Sequence, residues 1–273
     1  MKLAVLGPKG TYSDIAAQKY IKDNNLAYEI EYYPSILKAS MAISNDELAI
    51  LPFENTLDGF VIESLDRILY NEYSIISQLK LDIDFAFVSN AKTIENVKTC
   101  YVQFKTHGQC IDFISHHEFD VLTTQSNTES LNRLLESEET YGAIIPMHLL
   151  DDSFNITIPH IADSQNNETR FFIVSKNKDI KPAEQENLEG SAAITALEDR
   201  PGILYEILRE FQKLDINLKS IMSRPTKHQM GQYIFFFEFI ITSNTIHKVY
   251  DLKEELLKDK NFHVDILGFY NRL

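Results

Sequence analysis

The sequence predicts a mixed α/β protein with a two-lobed first part and a smaller C-terminal domain. Residues 2–6 form an apolar run that leads through a glycine turn into a helix, as many α/β folds begin. The sequence at 143–146 (AIIP) is similar to that at 49–52 (AILP), which indicates two similar lobes, the second inserted into the first. Beyond residue 190 the pattern changes to βαββαβ, a ferredoxin-like order of about eighty residues.

The composition sets limits on the class of protein. The chain has 273 residues, which is long enough for two domains that each bury a core. Hydrophobic residues make up 44% and charged residues 24%, the balance of a globular protein. The net charge of -14 argues against nucleic acid as a partner. It also means that a site for an anion must supply its own positive field.

The cysteines and the apolar stretches predict a cytoplasmic location. Cys100 and Cys110 do not form a CxxC motif, which favours a reducing compartment over a disulfide scaffold or a zinc module. The apolar run at 1–6 is too short for a signal peptide, and no stretch approaches the roughly 20 apolar residues of a membrane span. We therefore expect no membrane partner.

The turn at 7–13 connects the first strand to a helix that Ser13 is predicted to cap, with Ala16 and Tyr20 on its apolar face. Free amides and the helix dipole at such a turn can hold an anion, and Gly10 lets the backbone approach it closely. The lysine precedes the second glycine, so the turn is neither a P-loop nor a GxGxxG motif. An ordinary strand–helix connection explains the turn equally well.

A polar group follows the buried strand predicted at 48–51, which we expect to end at Pro52. Ligands of open α/β sheets lie beyond the carboxyl ends of the strands, so Glu54, Asn55 and Thr56 are expected to face a pocket. The alternative is a loop with Asp-Gly turn chemistry at 58–59, but that loop leaves the three polar residues unexplained.

The middle of the chain is predicted to form the second lobe. The extended run at 75–88 alternates in hydropathy and can carry the chain from one lobe to the other. The remaining predicted elements are a strand at 28–33, helices at 36–43 and 60–69, a helix entered at 106–110, a strand at 119–123, a helix capped by Ser126 with Glu129 in a capping-box position, and a strand at 141–145.

The stretch 163–174 is predicted to bring the chain back to the first lobe. Its apolar end at 171–174 predicts a buried strand, with Asn167, Thr169 and Arg170 at the entrance. A hydroxyl and a guanidinium held by a strand are suited to an anion. On these residues alone a strand cap on a surface loop is the favoured interpretation. Alternation along the strand predicts that Arg170 points away from the face of Thr169.

The last part of the chain begins with a polar, charged segment at 176–189, which predicts a linker. The C-terminal domain follows, with predicted strands at 192–197, 218–222, 233–241 and 262–269 and helices at 203–214 and 245–258. Its first helix opens beside Pro201 and Gly202, where free amides can take a carboxylate.

Five short motifs, in order along the whole chain, resemble those of the prephenate dehydratase family in its bacterial monofunctional form with a C-terminal ACT regulatory domain. They are GPKGTYS at 7–13, PFENT at 52–56, QC at 109–110, NETRF at 167–171 and SRP at 223–225. The resemblance implies a catalytic domain at 1–176 with two lobes like a periplasmic binding protein, a linker at 177–190 and an ACT domain at 191–273. Lobe 1 would comprise about 1–80 plus 160–176, and lobe 2 about 81–159.

The resemblance implies the conversion of prephenate to phenylpyruvate, carbon dioxide and water in L-phenylalanine biosynthesis, with no cofactor and no metal. Thr169 is the residue on which the family depends most. It would hydrogen-bond the departing oxygen, with Glu54 relaying a proton. The expected substrate-binding residues are Gly10, Thr11, Asn55, Thr56, Gln109, Asn167 and Arg170.

The resemblance also implies feedback control by L-phenylalanine bound to the ACT domain at a subunit interface. We therefore expect a homodimer or homotetramer joined through the ACT and catalytic domains. The expected effector-binding residues are Pro201, Gly202, Ile203, Leu204, Asn217, Leu218, Ser223 and Arg224. Met222 and Ile203 stand where the family has glutamate and alanine. Val102 replaces a serine, so one polar substrate contact is lost or displaced to Thr106.

Three other functions are compatible with the sequence. Arogenate dehydratase performs the same chemistry on an amino acid, and the sequence does not separate the two. A two-lobed sensor that binds a small molecule without catalysis would not need the hydroxyl of Thr169. An amino-acid-binding ACT module that acts through a partner would leave the first 175 residues without a role.

Overall fold

The computed structural model describes residues 1–44, 47–178, 182–227 and 231–273, which form three β-sheets with helices packed against them. In chain order the elements are β1 (Lys2–Leu6), α1 (Tyr12–Asp23), β2 (Glu29–Tyr33), α2 (Ile36–Met41), β3 (Glu47–Asn55), β4 (Gly59–Phe60), α3 (Ile62–Tyr70), β5 (Ser74–Asp82), β6 (Phe85–Ser89), β7 (Thr99–Gln103), α4 (Phe104–Gly108), α5 (Ile111–His117), β8 (Asp120–Thr124), α6 (Asn127–Leu135), β9 (Tyr141–Pro146), β10 (Ile156–Ile158), β11 (Glu168–Ser175), β12 (Asn187–Ala196), α7 (Ile203–Lys213), β13 (Asn217–Pro225), β14 (Tyr233–Thr242), α8 (His247–Leu257) and β15 (Phe262–Asn271). The predicted mixed α/β class and the C-terminal βαββαβ order are confirmed. Within the described ranges, no helix is long and apolar enough to cross a membrane.

The sheet of the first lobe has the spatial order β2-β1-β3-β11-β5, and β4 pairs with the end of β3. β1 runs parallel to β2 and β3, whereas β11 lies antiparallel between β3 and β5. The chain therefore leaves this sheet after β5 and later returns to its middle as β11. This return places Thr169 directly opposite Asn55 of β3.

The sheet of the second lobe has the order β10-β6-β9-β7-β8. The chain enters it at β6, directly after Ile83 and Asp84, so the extended run predicted at 75–88 is two strands in different sheets. β3 and β9 carry the two similar sequences at 49–52 and 143–146, and each lies in the middle of its sheet. This arrangement agrees with a second lobe inserted into the first.

The C-terminal sheet has the order β13-β14-β12-β15 and is antiparallel throughout. Helices α7 and α8 cover one face, where buried side chains such as Ile207 and Leu252 form a core of their own. The opposite face packs on the first lobe, and Phe236 lies with its ring centroid 5.6 Å from that of Phe53. The C-terminal sheet thus contacts the same lobe that contributes β11.

Three predicted boundaries need correction. Thr11, not Ser13, caps α1: its backbone is extended and its side chain accepts a hydrogen bond from Asp14 N, while Ser13 lies buried in the first turn. β3 does not end at Pro52 but continues to Asn55. Because its pairing with β11 shifts at this point, a residue without an N–H is accommodated there.

The predicted linker at 177–190 is also too long at its C-terminal end, because β12 begins at Asn187. Glu189 is only 3% exposed, although its charge suggests a surface position. The ammonium of Lys219 lies 2.7 Å from its carboxylate and offsets part of the cost of burying this charge. Residues 179–181 of the predicted linker lie outside the described residues.

Candidate active site

A cavity of about 350 Å³ lies in the cleft between the two lobes, and both lobes contribute polar side chains to its wall. The first lobe supplies Thr11, Tyr12, Asn55, Asp58 and Thr169, and the second supplies Gln103, Lys105, Thr106, Gln109, Ser126 and Asn127. Of the residues predicted for the site, Thr11, Asn55, Gln109 and Thr169 are therefore brought together. Thr106, the expected replacement contact, also lines this cavity.

The hydroxyl of Thr169 is held by the amide of Asn55 across the β3–β11 pair. Asn55 Nδ2 donates to Thr169 Oγ1 at 3.0 Å. The orientation of this amide is fixed, because Asn55 Oδ1 accepts from the backbone N–H groups of Leu57 and Asp58, each at 3.0 Å. Toward the described residues Thr169 Oγ1 acts as an acceptor, so its own proton can be donated into the cleft.

A chain of amide hydrogen bonds joins this pair to the second lobe. Asn55 Nδ2 also donates to Asn167 Oδ1 at 2.7 Å, and Asn167 Nδ2 donates to Gln109 Oε1 at 3.1 Å. Asn167 is 2% exposed and lies behind the cavity wall. We conclude that Asn167 orients Asn55 and Gln109 and does not face the cavity itself.

The N-terminal turn contributes Thr11 to the wall of the cavity but does not contribute Gly10. The Gly10 N–H donates to Asp14 Oδ2 at 2.8 Å, and its carbonyl lies 2.9 Å from His148 Nε2. The expected substrate contact at Gly10 is therefore not present, because a carboxylate of the protein already occupies the amide. Burial lowers the pKa of His148, so its ring does not supply the positive charge that an anion at this turn would need.

Three other predicted residues lie outside the cleft: Glu54, Thr56 and Arg170. Glu54 Oε2 lies 2.8 Å from Arg170 Nη2 on the face of the sheet that meets the C-terminal domain. Thr56 Oγ1 accepts from Glu168 N at 2.7 Å and closes the end of the β3–β11 pairing. The roles predicted for these residues in proton relay and substrate binding are not compatible with their positions.

A β-bulge explains the position of Glu54. Pro52 pairs with Phe171 and Glu54 pairs with Arg170, so β3 has one extra residue, Phe53, against a single step of β11. Strict alternation from the buried part of β3 would place Glu54 on the cleft face. The extra residue reverses the alternation, sends Glu54 to the back and turns Asn55 toward Thr169.

The main cleft residue that the sequence analysis missed is Lys105. Its ammonium lies 4.0 Å from Asp58 Oδ2, so the two lobes exchange an ion pair across the cleft. Lys105 immediately follows the segment in which the family motif is altered, and that position is the available signal in the sequence.

Tyr12 lines the same cavity, and burial raises its pKa well above the ordinary value, so this hydroxyl remains neutral.

The residues expected to bind L-phenylalanine are spread along the C-terminal domain. Asn217 and Leu218 begin β13, and Ser223 lies six residues beyond Asn217, which corresponds to roughly 20 Å along a strand. Arg224 has another partner, because its Nε and Nη2 donate to the two carboxylate oxygens of Asp66 on α3 at 2.7 and 3.2 Å. Arg224 therefore links the domain to the first lobe.

The other four expected effector residues lie at or just before the start of α7. Pro201 precedes the helix, and Gly202 is its N-cap, with φ at +90°. Ile203 and Leu204 form the first turn of α7 and pack into the C-terminal core. Apart from its chain neighbours and the backbone of its own helix, no atom of the described residues lies within 4 Å of the position that a Cβ on Gly202 would occupy. The surface beside Gly202 is therefore open, although the Ile203 N–H already donates to Arg200 O at 3.4 Å.

Comparisons with known proteins identify both parts of the chain. The prephenate dehydratase family model matches residues 3–179, and the ACT domain model matches 194–256. A prephenate dehydratase of Methanocaldococcus jannaschii is 33% identical over 267 residues, covering 96% of this chain and 95% of that protein. The crystal structure of the prephenate dehydratase from Staphylococcus aureus superposes with a TM-score of 0.82 at 27% identity, over 99% of this chain and 100% of that one. A prephenate dehydratase from Arthrobacter aurescens in complex with L-Phe has the same fold, with a TM-score of 0.83 at 23% identity over 100% of this chain and 90% of that one.

Proposed function

This chain belongs to the prephenate dehydratase family of hydro-lyases, and from that premise we propose that its cleft binds prephenate and that Thr169 is the catalytic hydrogen-bond donor. The observation that carries the proposal is the fixed amide of Asn55. By donating to Thr169 Oγ1 at 3.0 Å, it leaves the threonine proton directed to a ligand.

The chemistry needs one donor at the oxygen that departs. The ring C–O bond and the bond to the ring carboxylate break, and the electron pair of the latter completes the aromatic ring. Carbon dioxide leaves, and the departing hydroxide becomes water by taking up a proton from the solvent. A hydrogen bond from Thr169 stabilises the charge that develops on this oxygen, and a donor fixed in advance needs no reorganisation.

Prephenate is a dianion, so the cleft must also hold two carboxylates. Lys105 is the cleft residue whose side chain carries an ammonium group, and it can exchange Asp58 for a carboxylate of the substrate. The Thr11 hydroxyl and the Gln109 amide supply neutral hydrogen bonds from the two lobes. We propose that Lys105, Thr11 and Gln109 bind the substrate, while Asn55 and Asn167 position Thr169 and Gln109.

We further propose that L-phenylalanine regulates the enzyme through the ACT domain. The L-Phe complex of the Arthrobacter aurescens relative and the open surface beside Gly202 support this proposal. Since Asn217 and Ser223 of one copy stand too far apart for one amino acid, we expect the effector site to combine two copies of the chain. This requirement agrees with a homodimer or homotetramer.

The decisive test is phenylpyruvate formation from prephenate by the purified chain and its Thr169 variants. We expect Thr169→Ala to lose roughly 10²–10³ in turnover, which is about 2.7–4 kcal/mol of barrier, because one well-aimed donor is removed. Thr169→Ser keeps a hydroxyl and should retain more activity. Thr157→Ala, an exposed threonine on β10, is the matched control. Turnover near that of the unaltered chain in Thr169→Ala would disprove the assignment.

Two additions to this assay test the finer parts of the proposal. Arogenate is offered in parallel, and a higher kcat/KM for arogenate than for prephenate would show that the substrate is the amino acid. L-phenylalanine is titrated against turnover and against heat of binding by calorimetry. We expect binding together with a change in rate, and an absence of binding would end the feedback proposal without affecting the role of Thr169.

A further inference from the structure

A buried ionic cluster lies directly behind Thr169, on the other face of β11. Its centre is Arg170, which is 7% exposed and whose guanidinium carbon lies 5.0 Å from the ring centroids of both Phe53 and Phe172. Nη1 and Nη2 donate to the two carboxylate oxygens of Glu238 at 2.6 and 2.8 Å. Glu238 belongs to β14 of the ACT domain and is 0% exposed.

The cluster joins two domains through one side chain. Besides Glu238, the Arg170 guanidinium has Glu54 of the first lobe at 2.8 Å and Glu189 of the ACT domain at 3.8 Å. Gln78 of β5 accepts from Arg170 Nη1 at 3.3 Å and donates to Glu189 at 2.9 Å. Arg170 therefore ties β11 to the catalytic sheet and to the ACT sheet at the same time.

Stability alone is a weak explanation for this cluster. Buried ion pairs often contribute no more than apolar side chains of the same volume, because both charges must be desolvated. Here the pairing is also incomplete, since Arg170 Nε is buried and has no hydrogen-bond partner among the described residues. What a bidentate pair does provide is geometric precision in a low-dielectric setting.

Such precision is needed at this position of the strand. The bulge at Phe53 interrupts the regular pairing of β3 with β11 between Arg170 and Phe171, beside Thr169. On the cleft face Thr169 is held by one neutral hydrogen bond from Asn55. On the back face the next residue along the chain, Arg170, is held by two charge-assisted hydrogen bonds to Glu238.

We propose that Arg170 is a positioning residue through which Glu238 of the ACT domain fixes the place of Thr169 in the catalytic cleft. The inference rests on the proposed role of Thr169. It assigns to the ACT domain a part in the geometry of the reaction itself, transmitted through two consecutive residues of β11.

The test is Glu238→Gln, which keeps the shape of the side chain and removes its charge. We expect kcat to fall about tenfold while KM stays within about twofold, because Glu238 does not touch the substrate and a small misplacement of a reacting group slows the chemical step. The matched control is Glu210→Gln on α7, another ACT glutamate that is mostly buried and paired, with Lys213 at 2.8 Å. We expect Glu210→Gln to leave kcat unchanged. An unchanged kcat in folded Glu238→Gln would overturn the proposal.

A double-mutant cycle with Thr169→Ala separates positioning from other effects. If Glu238 acts through Thr169, adding Glu238→Gln to Thr169→Ala should lower kcat by less than about twofold further. A full tenfold loss on the alanine background would overturn the positioning role and leave the function of Thr169 standing. Turnover near that of the unaltered chain in Thr169→Ala alone would instead disprove the proposed function.

A second variant covers the case in which Glu238→Gln does not fold. Glu54 is partly exposed, so Glu54→Gln weakens the same clamp with less effect on folding. We expect it to lower kcat about threefold with KM unchanged, and to lose this effect on the Thr169→Ala background. If Glu54→Gln lowers kcat equally with and without the Thr169 hydroxyl, the proposal fails.

Discussion

Thr169 and Arg170 are neighbours on one strand, yet their environments have little in common. Thr169 faces an open cleft and is held by the uncharged amide of Asn55, whereas Arg170 is 7% exposed and is surrounded by carboxylates from two domains. Successive residues of a strand point to opposite faces, so β11 serves the cleft with one side and the ACT interface with the other.

The difference follows from what each side chain has to do. A hydroxyl that must donate to a substrate needs a partner that occupies its acceptor and leaves its proton free, and a neutral amide such as that of Asn55 provides this. A buried guanidinium must stay paired. Burial alone would lower the pKa of Arg170, but the hydrogen bonds and charge of Glu238 raise it above its ordinary value, so the group stays ionised.

The largest expected effect is the loss of stability when the ion pairs of Arg170, on the face of β11 away from the cleft, are broken. Arg170→Met leaves Glu238 buried without its counter-charge, and we expect a loss of roughly 3–5 kcal/mol in the free energy of unfolding. Thr169→Ala should cost less than about 1 kcal/mol, because it removes only one neutral hydrogen bond at the cavity. Urea unfolding of both variants makes the comparison.

The double variant Arg170→Met with Glu238→Leu is the control for this prediction. Replacing both partners of a buried pair by apolar groups often restores stability. We expect most of the loss to be recovered in unfolding while kcat stays low, because the clamp on β11 is still absent. An Arg170→Met variant as stable as the unaltered chain would show that the cluster is not closed to water.

The environments of Thr169 and Arg170 are only partly predictable from the sequence. The sequence predicts Asn55 and Thr169 as polar residues at the ends of two buried strands, and the resemblance to the family assigns them to one site, but their pairing was not predicted. The direction of Arg170 followed from alternation alone. The direction of Glu54 did not, because one extra residue at Phe53 reverses the alternation, and hydropathy carries no sign of a bulge.

Contacts between residues that are far apart in the sequence were the other feature that the sequence did not predict. Lys105 meets Asp58 only because two lobes close on each other. Glu189 and Glu238 are charged residues buried in strands, and their partners are distant in sequence, so local composition assigned Glu189 to a linker. The fold class, by contrast, depends on periodicity and turn residues, which are local, and it was predicted correctly.

A smaller effect, on KM, is expected from a change in the cleft that Thr169 faces. Lys105→Met should raise KM for prephenate about tenfold and change kcat less than threefold, since it removes a charge that holds a carboxylate and not the reacting oxygen. Lys98→Met, an exposed lysine of the same lobe, is the control for net charge. The KM difference between the two variants should shrink in high salt. Equal KM values for both variants would remove Lys105 from the substrate site.

The smallest effect is expected at another ionic contact between the domains, where the Asp66 carboxylate lies 2.7 Å from Arg224 and 3.3 Å from Lys227. Asp66→Asn should cost about 0.2–1 kcal/mol of stability at neutral pH, because this cluster is partly exposed to solvent. Burial works to raise the pKa of Asp66, but hydrogen bonds and charge from Arg224 and Lys227 outweigh it, so the pKa lies below its ordinary value of 3.8.

The sign of the pH dependence follows from that direction. The stabilising contribution of Asp66 is fully present above its ordinary pKa and is lost as the pH falls through the lowered one, so the Tm values of the unaltered chain and of Asp66→Asn should converge in acid. The variant should keep its kcat, because Asp66 and Arg224 do not adjoin Thr169. If Asp66→Asn lowers kcat as much as Glu238→Gln does, then any loosening between the domains slows turnover, and the position of Arg170 next to Thr169 is not the reason.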